Sequence, residues 1–489
     1  MRVVVVGAGV GGLAAAARLA AVGHDVVVCE QAATVGGKLA RHEADGFAWD
    51  TGPSLLTMPQ VLEELFAATG DPLDGVLRLH PVEPIARYRF HDGTVLDSTA
   101  DLDAFCDRLD DALRPGSGDD WRRLMRRAGA MWRAVEQPFL RSPIGGARWF
   151  ARQALRLGDL ATVAPHRSLR SLGRTHLRDP RLRILLNRYA TYTGSDPRRA
   201  PAALAVIPYA EQRFGAWYVE GGLYRIADAL AERACERGAQ IRTGADVRGI
   251  SLSGGRVTGV TLADGERLRA DVVVANADAA HVYRDLLAPS AGRRAAAALR
   301  RAVPSLSGFV VLLGLSGRTP DPVHHRVLFP RHYDGEFDAI FGRHPRPVTD
   351  PTVYVASPDD AAAAPAGAES WFVLVNAPRH GIVDWADEGL ADDYAGHVLA
   401  VLASRGLDVR HRVVTRRVVS PADLALRTRA PGGAIYGTSS NGLRSAFRRP
   451  ANVTAVPGLF LVGGSSHPGG GLPLVVLSAG IVADLVGSP

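Results

Sequence analysis

The sequence predicts an α/β protein in which a parallel-sheet domain, assembled from separated stretches of chain, is interrupted by a mixed α+β domain. Three observations carry this expectation. A continuous apolar run opens the chain and leads through GAGVGG into an Ala/Leu helix. Buried-strand runs of the same character return only much later, at ADVVVA (270–275) and LFLV (459–462). The stretches between them differ in composition, being Arg-rich in one case and Pro-rich in the other.

Taken in order, Arg2 to Val6 reads as a strand, Leu13 to Val22 as a helix and His24 to Glu30 as a second strand, one βαβ unit. The segment 75–220 reads as largely helical. Gly222 opens a helix whose Leu223, Ile226, Ala227, Leu230 and Ala234 recur at helical spacing. Ile241 to Ile250 reads as one strand, followed by two hairpins at Gly254-Gly255 and Asp264-Gly265 and the buried strand 270–275. Gly308 to Leu315 is expected as a strand, and 361–368 as a surface loop. The chain ends with the strand 459–462, a Gly-rich turn and a helix over 474–485. Residues 1–74, 221–284 and 416–489 are therefore assigned to one domain, and 75–220 and 285–415 to a second.

Composition excludes several classes. The chain has 489 residues, 47% hydrophobic and 22% charged, long enough for a sizeable core and unlike a disordered tail. Its net charge of +7 is carried by arginine, Lys38 being the sole lysine, and no basic block suggests nucleic acid. Cys29, Cys106 and Cys235 are widely separated, without the spacing of a thiolate metal site or a disulfide framework. His324, His325, His332 and His344 lack metal-ligand periodicity, so no metal is expected. The opening MRVVVV lacks a charged leader, so secretion is not expected. No stretch reads as a membrane span.

Gly7, Gly9, Gly11 and Gly12 form a GxGxxG turn between strand and helix. Gly7 permits the tight bend, Gly9 lets backbone approach a pyrophosphate, and Gly12 lets helix and sheet close together. The helix N-terminus offers unpaired N–H groups to phosphate. Glu30, eighteen residues after Gly12, stands where a carboxylate accepts ribose hydroxyls and would repel a 2′-phosphate. Then come Gly36-Gly37-Lys38 and a Gly52-Pro53 turn able to run along a ribityl chain. One dinucleotide, FAD, is the economical expectation.

These residues resemble the bacterial carotenoid desaturase family. The N-terminal run GAGVGGLAAAARLAAVGHDVVVCEQAATVGGKLAR, the WDTGPS turn, ADVVVANADAAHVYRDLL and above all GLFLVGGSSHPGGGLPLVVLSAG carry the likeness. It implies a Rossmann-type FAD-binding domain and a substrate domain facing a membrane. It also implies pyrophosphate at Gly7, Gly9 and Gly12, ribose at Glu30, Lys38 beside the flavin and adenine contacted by the backbone of Val247. Gly463, Gly464, Leu472, Pro473 and His467 would lie near the phosphate, ribityl and ring portions. Asp50 and His467 are candidates for proton handling, with loop ordering the competing role for His467.

The resemblance implies an apolar polyene substrate, phytoene or a hydroxycarotenoid, from which hydrogens are removed. For about 40 carbons, transfer to water would cost roughly 30 kcal/mol, so direct uptake from a bilayer is expected. The basic, aromatic stretch Trp121 to Leu157 is the candidate docking surface, with Trp121, Trp132, Phe139, Trp149 and Phe150 among many arginines. The expected location is cytoplasmic, peripheral on the inner face of the cell membrane. Two rival readings are a flavin amine oxidase, which shares the N-terminal motifs but commonly needs a lysine near the flavin and an aromatic cage at the C-terminal loop, and a non-catalytic prenyl-lipid carrier of related fold, against which the intact Gly7, Gly9, Gly12 and Glu30 set speaks.

Overall fold

The computed structural model describes residues 1–145, 157–442 and 445–489. At its centre is a five-stranded parallel sheet, ordered Leu459–Leu461, Val272–Ala275, Arg2–Val6, Asp25–Cys29 and Gln240–Arg242. Val3 is in register with Val26 on one side and Val272 on the other. Val3, Val4 and Val5 are fully buried because both sheet faces are covered, which explains why these strands read as unbroken apolar runs.

Strand β1 (Arg2–Val6) leads into helix α1 (Val10–Ala21), which starts earlier than expected because the last glycines of the turn are already helical. Leu13 to Ala17 have no exposure. The sheet covers one side of α1, and the helices Arg225–Glu236 and Leu472–Val486 cover the others. Its alanines are thus a packing requirement: small side chains let three layers approach. Gly12 shows the same demand, since a Cβ there would stand 2.1 Å from the Gly7 carbonyl oxygen.

The strand expected over 241–250 is two strands. Gln240–Arg242 lies at the edge of the parallel sheet, while Val247–Ser253 belongs to a three-stranded antiparallel sheet with Arg256–Leu262 and Arg267–Arg269. Gly244, at φ +68°, turns the chain between them. Glu30 fixes the break: its N–H donates to Arg242 O (2.9 Å) and its carbonyl accepts from Ala245 N (2.8 Å).

A second, seven-stranded sheet has the order Val413–Val419, Ser307–Ser316, Ala368–Ala377, Val353–Ala356, His325–Leu328, Ala86–Arg89 and Val95–Ser98, so its first strand runs across the boundary expected between 415 and 416. Segment 75–220 is therefore not purely helical, because it supplies two of these strands. His325 opens a strand and is buried, while His324 lies in the bend just before it. The helix Leu390–Ser404 covers one sheet face through Tyr394, Val398 and Leu402. Phe47 and Trp49, on a hairpin of the first domain, pack on Val310, Leu312 and Phe372 of the other face. In the 361–368 loop Ala363 is buried, its carbonyl taking the Ala48 N–H (2.9 Å).

The helix Ser117–Val135 corrects the docking expectation in part. Trp121 and Trp132 are 2% and 5% exposed, and Trp121 meets Phe105 edge to face at 5.5 Å. Positions 121, 124, 125, 128, 131 and 132 share one helical face, and the core takes that face. Arg123, Arg126 and Arg133 are exposed opposite it. Trp149 and Phe150 lie outside the described residues.

Candidate dinucleotide and flavin site

Two helix N-termini from opposite ends of the chain meet at the glycine turn. Neither α1 nor the helix Leu472–Val486 has a capping side chain or an acidic residue in its first turn. Both leave backbone N–H groups and a partial positive charge for a ligand. The two helices are locked together at Gly11, where a Cβ would stand 2.9 Å from Val475 Cγ1 and 3.2 Å from Gly463 Cα. Leu472 and Pro473 open the second helix, so its N-terminus faces this junction as expected.

Asn276, which the sequence reading did not single out, sits at the hub. It follows the strand Val272–Ala275, and its side-chain amide would be 2.7 Å from a Cβ on Gly9 or Gly11 and 2.6 Å from one on Gly463. The Asn276 amide would be pushed from its place by a Cβ on Gly9, Gly11 or Gly463. Its only local signal is its place at the end of a buried strand.

Glu30 lies at the end of the second strand, 6% exposed. One carboxylate oxygen accepts the Ala8 N–H (2.7 Å) and the other the Ala32 N–H (2.9 Å), leaving further lone pairs for hydroxyl donors. Val247 is buried at the start of its strand, two residues beyond the Ala245–Glu30 bond. This set of donors and acceptors fits a dinucleotide: uncapped helix N-termini for the phosphates, a carboxylate for the ribose, and glycine where backbone must approach.

The remaining expected residues lie along one side of this junction. Gly37 abuts Gly9, a Cβ on it meeting Gly9 Cα at 3.1 Å. Lys38 is half-buried, its ammonium donating to the carbonyls of Ala434 and Ile435. Burial lowers its pKa, opposed by the nearby Asp278 carboxylate. Gly52 and Pro53 follow Thr51, whose N–H donates to Ala40 O at 2.7 Å and whose hydroxyl accepts from Arg427 at 3.0 Å. The turn is thus anchored beside Lys38.

Gly463 and Gly464 belong to a loop held from below. Asn452 Nδ2 donates to Leu461 O, His467 O and Ser478 Oγ at 2.9–3.1 Å. Arg449, buried, donates to the carbonyls of Tyr436, Gly464 and Thr438 at 2.8–2.9 Å. Burial lowers its pKa to about 10. Neither residue carries a motif; each acquires its role only when distant loops come together.

The two proton-handling candidates are both deeply engaged. Asp50 accepts the Leu223 and Tyr224 N–H groups at 2.6 and 3.0 Å, at the start of the helix Arg225–Glu236. Desolvation raises its pKa to about 6 against those hydrogen bonds. It borders a small cavity of about 40 Å³ shared with Arg41, Tyr218 and His324. His467 has no exposure; its Nε2 pairs with Ser142 O at 3.0 Å and its ring meets Phe139 edge-on at 4.9 Å. Desolvation lowers its pKa to about 4. The structure does not bring Asp50 and His467 together.

The pattern of the family described as "Flavin containing amine oxidoreductase" matches residues 10–487. Three curated relatives extend along nearly the whole chain. The 4,4′-diapolycopene oxygenase of Methylomonas sp is 35% identical, covering 99% of this chain and 98% of that protein. A zeta-carotene-forming phytoene desaturase of Myxococcus xanthus is 36% identical over 99% and 93%. A hydroxyneurosporene desaturase of Rubrivivax gelatinosus is 37% identical over 99% and 92%. Among solved structures, putrescine oxidase bound to putrescine superposes with a TM-score of 0.66 at 16% identity, covering 99% of each chain. At that identity the likeness is one of fold.

Proposed function

The chain belongs to the carotenoid desaturases, within the flavin-containing amine oxidoreductases, and from that premise we propose the reaction its site performs. It is an FAD-dependent oxidoreductase of carotenoid biosynthesis. The reaction we infer is removal of two hydrogens from a CH–CH unit of an apolar polyene, phytoene or a hydroxycarotenoid. Two C–H bonds break and one C=C bond forms; one hydrogen leaves as hydride and the other as a proton. Bound FAD supplies the two-electron acceptor for the hydride.

The protein's part is to bind, orient and exclude water. The N–H groups of α1 and of Gly9 would hold the pyrophosphate, and Glu30 would hold the ribose. The uncapped N-terminus of the helix Leu472–Val486 would favour negative charge on a group held against it. Asp50 and His467 act as positioning residues, one fixing a helix start and the other a loop. The observation that carries the assignment is the meeting of two uncapped helix N-termini at Gly11, one carboxylate away from the adjoining strand. Amine oxidation is disfavoured because the single lysine has its ammonium engaged by two backbone carbonyls.

We further propose that the enzyme works at the inner face of the cell membrane, where its substrate resides. No helix among the described residues is long and apolar enough to cross a membrane. The exposed Arg123, Arg126 and Arg133 supply a basic face for anionic lipid, each worth about 1 kcal/mol near the surface. Flotation with anionic vesicles tests this: wild type should float and a triple Arg→Glu variant should not.

The reaction is tested by expression in cells that accumulate phytoene or a 1-hydroxycarotenoid, followed by pigment analysis. A product with a longer polyene in either host is expected. Unchanged pigments in both, with flavin bound to the purified protein, would overturn the assignment.

A further inference from the structure

A buried cation stands beside the flavin crevice with no carboxylate in direct contact. Arg188 is 8% exposed, and its guanidinium carbon lies 5.1, 5.7 and 5.9 Å from the ring centres of Tyr192, Tyr88 and Tyr354. Its Nη1 donates to Tyr192 Oη at 2.9 Å. The nearby carboxylate, Glu211, instead accepts from Tyr189 Oη at 2.6 Å. Tyr333 Oη, buried in the same cluster, has no hydrogen-bond partner.

This group sits between the two segments assigned to the flavin. Tyr354 Oη is 2.7 Å from Ser54 Oγ, immediately after the Gly52-Pro53 turn. Tyr436, within electrostatic reach of Arg188 and Tyr192, lies against Gly470 of the C-terminal loop, where a Cβ would meet its ring at 2.5 Å. Tyr192, Tyr354 and Tyr436 are only half-buried although they stand deep in the protein, so their rings line an internal crevice.

A pure hydrocarbon needs only apolar walls. A buried guanidinium and an unpaired phenol are costly in such a wall unless something accepts their hydrogen bonds. We propose that Arg188, framed by Tyr192, Tyr88 and Tyr354, is a specificity-determining residue that hydrogen-bonds a hydroxyl oxygen carried by the polyene close to the bond being oxidised. The inference deepens the desaturase assignment and rests on it. Arg188 donates to the hydroxyl oxygen, Tyr333 can do likewise, and the phenol faces hold the chain between them.

The test uses purified FAD-loaded enzyme and two acyclic carotenoids identical but for one terminal hydroxyl. Wild type should favour the hydroxylated member in kcat/KM by about tenfold or more, the worth of a hydrogen bond from a charged donor. Arg188→Met should bring the ratio near one, Arg188→Lys should restore part of it, and Tyr333→Phe should lower it. Equal use of both substrates by wild type, or an unchanged ratio in a flavin-bound Arg188→Met, would overturn the proposal. Should Arg188→Met fail to fold, the wild-type ratio and Tyr333→Phe still decide. Turnover of neither substrate by flavin-loaded wild type would instead sink the desaturase assignment itself.

Discussion

The side-chain amide of Asn276 donates to the carbonyl of Gly7 at 3.4 Å, so the end of one buried strand is tied to the turn that ends its neighbour. A side chain on Gly9, Gly11 or Gly463 would force that amide to move. Gly9→Val should therefore abolish FAD binding, because a Cβ would already sit 2.7 Å from the Asn276 amide and the added methyls would stand where backbone must approach phosphate. Flavin absorbance per polypeptide measures this, and full retention would show the dinucleotide to be elsewhere.

Arg449→Met should destabilise the protein by about 3–5 kcal/mol and release flavin. The substitution removes three carbonyl contacts and takes away a cation whose field acts on the buried Asp278. Chemical denaturation of variant and wild type gives the difference; a loss under about 1 kcal/mol would contradict the clamp.

Asp50 makes a pH-dependent contribution of definite sign. Its folded pKa, about 6, lies above its ordinary value of 3.8, so the folded protein binds this proton more tightly. The associated stability is full below 3.8 and is lost as pH rises through about 6, amounting to about 3 kcal/mol. Asp50→Asn removes the titration. Wild type should gain on the variant by up to that amount as pH falls from above 6 to about 4, and parallel stability curves would refute it.

His467 works in the opposite sense. Its folded pKa, about 4, lies below 6.5, so its contribution is full above 6.5 and is lost as pH falls through about 4. Between about pH 4 and 6 the two groups nearly cancel in wild type. His467→Gln should unmask the Asp50 slope. If His467 only orders its loop, the variant should lose flavin affinity and thermal stability while the pH profile of its residual turnover keeps the wild-type shape.

The first βαβ unit and the strands 270–275 and 459–462 were legible because parallel strands covered on both faces are written as local apolar runs. Gly7 to Gly12 and Glu30 were legible for a related reason: their spacing alone encodes turn, helix start and strand end. The break at Gly244 was not, because Ile241 pairs with Val28 in one sheet and Val247 with Leu262 in another, a choice made by distant partners. Helical periodicity placed Trp121 and Trp132 on one apolar face but could not say whether protein or lipid would cover it. Asn276 and Arg449 acquire meaning only from loops nearly two hundred or more residues apart, or from carbonyls that any sequence would supply.

The central sheet is completed by Leu459–Leu461, and the glycine turn is closed by Val475, both far along the chain from the strand Arg2–Val6 and the turn they complete. Until those segments have been made, a nascent chain holds its first half-site open, with hydrophobic strand edges uncovered. Stable FAD binding is therefore expected to require the segment through Val475, which couples cofactor retention to completion of the central sheet.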